Sequence, residues 1–213
     1  LRRSEQNEEM TTSTLPRRLA LEEVNAFDSA EDFHRLFDSL FEHSPWVTEG
    51  AWQLWTTGSN GQVPLRSAVH LWSLFSVALY GASKEDQMRL IRAHPSLGDV
   101  ARIATDESRS EQRGAGLLSN LTPEEHAELL RLNGAYSSKH AFPFILAVKG
   151  HDKHSIVAHL RRRAENATEI EFDEALDQIA RIGWFRLLDK IDDGRTPPST
   201  QPPTSLPPTK AGL

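Results

Sequence analysis

Apolar residues recur along most of this chain at intervals of three and four, the spacing that lines one face of a helix. Over 29–43, Phe33, Leu36, Phe37, Leu40 and Phe41 form such a face, and Ser29 stands at the capping position before it. A second helix is expected over 65–80, where Trp72, Leu74, Phe75, Val77 and Leu79 make several faces apolar. That pattern suits a central helix, closed by Gly81 in a left-handed conformation. Further helices are expected over 83–93, 123–140, 155–163 and 169–191, and Thr122, Pro123 and Glu125 spell a capping box. The run FPFILAVKG over 142–150 is apolar without a period, so it fits a strand or a buried helix equally well. No partner strands are evident, and it reads as a local element.

These segments predict an all-α fold: a single compact multi-helix domain over 15–193, with a flexible polar extension over 1–14. The segment 194–213 is rich in proline, which removes backbone donors and favours extended conformations, so it reads as a tail or linker. The 213 residues are 38% hydrophobic and 25% charged, a balance that supports a sizeable core. The chain has no cysteine, which excludes disulfides, thiolate metal sites and cysteine nucleophiles. A net charge of −6 argues against nucleic acid as a partner, because binding it relies on neutralising phosphates with basic surface. No apolar stretch reaches the roughly 20 residues of a membrane span, so no membrane partner is expected and the setting is read as cytoplasmic.

Chemistry must then come from His, Asp, Glu, Ser, Arg or Lys. Of the nine histidines, His94 stands apart in RAHPSLGDV, because Pro95 disfavours helical backbone before it and ends the helix there. A loop imidazole at a helix exit suits acid–base work near neutral pH; a C-cap histidine is the plainer reading. Ser108 and Glu111 have the spacing of a capping box, and Gln112 follows them; such a helix start can also present amides to an anion. On the last helix, Phe172, Leu176, Ile179 and Ile182 define a stripe that reaches Arg186, whereas Arg181 points away and is expected in solvent. A guanidinium on an apolar stripe must meet a carboxylate or await an anionic ligand. His151, His154 and His159 lack the spacing of a strong metal motif, and the run Arg161 to Arg163 reads as a solvated face.

Four separated motifs, EHSPW (42–46), HPSLG (94–98), SRSEQRGAGL (108–117) and KHAFPFILAVKG (139–150), together resemble the OHCU decarboxylase family. That family converts 2-oxo-4-hydroxy-4-carboxy-5-ureidoimidazoline (OHCU) to (S)-allantoin in urate degradation, a branch of purine catabolism. The resemblance spans about 20–192 and implies an all-helical homodimer that uses no cofactor and no metal. It implies His94, Glu111 and Arg186 as catalytic, with Arg163 as the alternative arginine. It implies Pro95, Ser108, Gln112, Phe142, Phe144 and Ile145 as substrate contacts. The sequence departs from the family at His140–Ala141, commonly Phe–Gly, and at Gly183–Trp184, where smaller or aliphatic residues are usual.

The implied chemistry explains why no cofactor is called for, since the substrate's ring imine takes up the electrons released as carbon dioxide leaves the neighbouring carbon. Two other functions fit parts of the sequence. One is a catalytically inactive helical interaction module recruiting partners through its proline-rich tail, against which the intact His94, Glu111 and Arg186 argue. The other is a decarboxylase or lyase for a different small ureido acid.

Overall fold

The computed structural model describes residues 17–57, 62–97, 121–197 and 201–203. Among them, helices dominate: α1 (Leu21–Asn25), α2 (Ala30–Phe37), α3 (Pro45–Thr56), α4 (Ala68–Gly81), α5 (Lys84–Ala93), α6 (Pro123–His140), α7 (Lys153–Ala164) and α8 (Thr168–Lys190). The strands β1 (Leu19–Ala20) and β2 (Ile191–Asp192) form one short parallel pair that joins the two ends of the helical body. The fold is all-α, as the periodicity predicts.

The caps fall where the sequence places them. Ser29, Ser83 and Thr122 each accept from the backbone amide three residues on, and Glu125 closes a capping box with Thr122. The helix expected over 29–43 is shorter: α2 stops at Phe37 and a single 3-10 turn follows over Asp38–Leu40. The chain then extends through Phe41, and His43 adopts a left-handed φ of 47°. Pro45 prevents the helix from running on into α3, because it disfavours helical backbone at Ser44 and is itself suited to the first turn of α3. That helix was not legible as an amphipathic stripe. It packs against α4 at Gly50, where an added Cβ would sit 2.9 Å from the Ala78 Cβ.

Helix α4 starts at Ala68 rather than 65, capped by Ser67, and the Ala68 amide donates to Asp193 Oδ2 at 2.7 Å. It ends without a left-handed glycine: Gly81 is still helical and Ala82 is extended. The left-handed C-cap occurs instead at Ala141, φ 61°, at the end of α6. The central element is α8, not α4. Its residues from Ile182 to Leu188 are all buried, and α4, α5, α6 and the 3-10 turn pack around it. Gly183 makes this possible, since a Cβ there would lie 3.0 Å from the Phe41 ring and 3.1 Å from Trp72. Trp184, next to it, is fully buried and packs edge-on to the same Trp72 ring at 5.8 Å.

The 142–150 run contains no helix or strand; it crosses the core as extended chain, buried from Phe144 to Val148. Two of its backbone groups are met by side chains: the Ala147 amide donates to Gln178 Oε1, and Arg163 donates to the Ile145 carbonyl. No helix among the described residues is long and apolar enough to cross a membrane.

Candidate active site

His94 follows the last residue of α5 with φ −69° and ψ 136°, the extended backbone that Pro95 imposes on its predecessor. Its ring folds back along the helix, with Nδ1 3.3 Å from the Leu90 carbonyl. A carbonyl only accepts, so Nδ1 carries the proton and Nε2 presents a lone pair. The residue is 5% exposed, and Nε2 has no hydrogen-bond partner among the described residues. Burial, and after it the positive charge of Arg186, lower the imidazole pKa to about 4, while Glu42 and the Leu90 carbonyl pull the other way. The expectation of a loop imidazole that titrates near neutral pH is therefore corrected. His94 is a buried neutral base.

Arg186 faces the core, as the stripe on α8 requires, and is 3% exposed. Its Nη1 donates to the carbonyls of Ser39 (3.3 Å) and Leu40 (3.2 Å), and Nη2 to Glu42 Oε1 at 3.1 Å. The 3-10 turn and the residues after it thus cradle a guanidinium whose charge acts on His94. Glu42 lies in the EHSPW motif, but sequence reasoning gave it no role; a lone glutamate carries no signal of what it will face. His43, beside it, adds a smaller effect on His94.

Arg163 corrects the picture of a solvated basic run. Arg161 and Arg162 are exposed, but Arg163 is fully buried. Its Nε and Nη2 lie 2.9 and 2.8 Å from Glu171 Oε2, and Nη1 donates to the Ile145 carbonyl at 2.7 Å. Glu171 also accepts from Tyr136 and Asn166. The guanidinium lies 4.7 Å from the centre of the Phe144 ring. Such a residue fixes the 142–148 chain from below. Arg181 is likewise not in free solvent: it is half-buried and donates to Gln201, with Pro202 and Pro203 on the same groove.

Pro95 is half-buried, and the chain after it is pinned by Asn133, which donates to the Leu97 carbonyl at 2.8 Å. Arg92 donates to the Ala141 carbonyl, which ties the end of α5 to the start of the extended segment. The side chains of Phe142, Phe144 and Ile145 are all buried there. The departure at His140–Ala141 places an imidazole 4.5 Å from the Tyr136 ring and an alanine where a glycine bears a positive φ at lower cost. Ser108, Glu111 and Gln112 lie outside the described residues. His151 and His159 pack edge-on at 5.0 Å, and among the described residues no group of three or more His, Asp or Glu is placed to hold a metal.

A family profile described as OHCU decarboxylase matches residues 27–188. The 2-oxo-4-hydroxy-4-carboxy-5-ureidoimidazoline decarboxylase of Haloferax volcanii is 36% identical over 173 residues, covering 81% of this chain and 96% of its own. A uric acid degradation bifunctional protein of Bacillus sp. is 35% identical over 83% of this chain, which spans only 33% of that longer protein. A crystal structure of (S)-allantoin synthase is similar at TM-score 0.65 and 28% identity, over 82% of this chain and 55% of that one. The buried His94 and the cradled Arg186 thus sit inside a match that spans most of the chain: it belongs to the OHCU decarboxylase family.

Proposed function

We propose that this protein decarboxylates OHCU to (S)-allantoin in urate degradation, acting as a carboxy-lyase. The observation that carries the reading is His94 in a member of this family: a neutral imidazole, nine-tenths buried, whose Nε2 lone pair has no partner among the described residues and which feels the Arg186 cation.

Carbon–carbon cleavage releases carbon dioxide and sends the bonding pair through the ring carbon to the imine nitrogen, which takes a proton. The hydroxyl on the carbon that lost the carboxylate gives up its proton as it becomes a carbonyl, and the neighbouring ring carbon gains one on a single face. One proton is consumed overall. His94 Nε2 receives the hydroxyl proton, a task for which a base already neutral at pH 7 is ready. Arg186 holds the anionic carboxylate or the developing oxyanion through its planar fork. Glu111 orients the hydroxyl, and Ser108, Gln112, Pro95 and the Phe142, Phe144 and Ile145 chain bind the remainder of the ring and its ureido arm. The substrate's imine is the electron sink, so no cofactor or metal is assigned. The active form is a homodimer, and the setting is the cytoplasm, which the absence of cysteine suits.

The test is turnover of substrate generated in place from urate, followed by circular dichroism. Wild-type protein accumulates one allantoin enantiomer, and His94→Asn, its folding checked by far-UV dichroism, gives the racemic background. Enantiomeric product formed by His94→Asn at the wild-type rate refutes the assignment.

A further inference from the structure

The residue that the reaction leaves without a task is Glu42. Its carboxylate is 1% exposed, at the point where the chain leaves the 3-10 turn and just before the left-handed His43. Burying a charge in such a place is unfavourable unless it is answered, and Arg186 answers it at 3.1 Å. The carbonyls of Ser39 and Leu40 take the other guanidinium nitrogen, so one four-residue stretch sets the plane of the fork. The titratable or charged groups that act on the His94 ring from the described elements are Arg186 on α8, Glu42 on this stretch and His43 just after it. Arg186 and Glu42 act on His94 in opposite directions, and their ion pair sets a directed donor of little net charge near that base.

We propose that Glu42 is a positioning residue for the decarboxylation: it fixes the orientation of the Arg186 fork and balances its charge beside His94. This inference rests on the function proposed above. A neutralised arginine binds an anion less tightly than a bare one, so the pairing sacrifices ground-state affinity for a fork aligned with the reacting carboxylate. Orientation gained at the expense of ground-state binding appears in kcat rather than in KM.

Two variants separate this role from a purely structural one. Glu42→Gln keeps shape and an acceptor oxygen but removes the charge. Turnover of OHCU is measured together with the Kd for hydantoate, an unreactive ureido carboxylate that needs no catalysis to report on the site. The expected result is a kcat at least about 10-fold lower, with KM unchanged or reduced and hydantoate bound several-fold more tightly. Glu42→Asp keeps the charge but draws the carboxylate back; it is expected to bind hydantoate within about 2-fold of wild type while kcat falls about 3- to 10-fold. It also carries the test if Glu42→Gln fails to fold. A Glu42→Gln protein with wild-type kcat and hydantoate affinity overturns the proposal, as does a Glu42→Asp protein with wild-type kcat. Wild-type protein that binds hydantoate but does not turn over OHCU refutes the proposed function instead, and the hydantoate shift in Glu42→Gln still decides the role of Glu42.

Discussion

The two buried arginines, Arg186 and Arg163, are both legible as candidates for holding substrate, and perturbing the second separates them. Arg163 and Glu171 are each without exposure, joined by two nitrogens at 2.9 and 2.8 Å. Replacing Glu171 by Gln leaves a buried guanidinium uncompensated and turns an amide donor toward groups that already donate, Arg163, Tyr136 or Asn166. Removing one partner of a buried pair typically costs about 3–5 kcal/mol. Glu174, 3.9 Å from Arg163 and 37% exposed, offsets part of that charge, so a loss of about 3 kcal/mol is expected. In a domain of this size that lowers Tm by about 6–12 °C. Arg163→Lys is expected to lose about 2 kcal/mol, because one ammonium cannot reach both Glu171 and the Ile145 carbonyl. Urea unfolding at pH 7 reads both values, and turnover measured well below Tm gives KM for the folded fraction. Stability is expected to fall while KM stays within about 2-fold. An Arg163→Lys protein of wild-type stability with a KM raised 10-fold refutes the structural assignment and makes Arg163 the substrate arginine.

Arg186→Lys retains charge but cannot span Ser39, Leu40 and Glu42 together, so kcat/KM should fall about 10- to 100-fold, whereas Arg181→Lys, which loses only the Gln201 contact, should stay within about 2-fold; equal effects would remove the helix-face argument. His94 should make the protein acid-sensitive: its pKa is about 4 when folded against an ordinary 6.5, so between these values the unfolded chain binds the extra proton and stability falls as pH is lowered. The loss attributable to it approaches about 3 kcal/mol by pH 4, read as the difference between urea-unfolding curves of wild type and His94→Gln; parallel pH dependences would contradict it. Ala141→Gly should stabilise by about 1 kcal/mol, since φ 61° costs an alanine what it does not cost a glycine, and calorimetry showing a lower Tm would refute this.

What the residue order determined by itself was local or periodic. Capping at Ser29, Ser83 and Thr122 involves groups three residues apart, and the end of α5 at His94 follows from the proline next to it. The stripe on α8 placed Arg186 inward because helix geometry fixes which positions share a face. Family membership was legible for a different reason, the order and spacing of four motifs. What only the tertiary structure decided were encounters between distant segments. Arg163 reads as part of an exposed basic run until Glu171, eight positions on, and Ile145, eighteen positions back, are brought to it. Helix α3 hid because its buried residues, Val47, Thr48, Ala51 and Trp55, include small and polar ones that pack only through the close approach at Gly50. The base strength of His94 depends on burial and on charges from α8 and from the turn after α2, none of which its neighbours in sequence specify. Glu42 meets Arg186 across 144 positions, and an ion pair at that range leaves no period or spacing to read. Short-range stereochemistry is written in consecutive residues; the protonation and orientation of catalytic groups are set by whatever the fold packs around them.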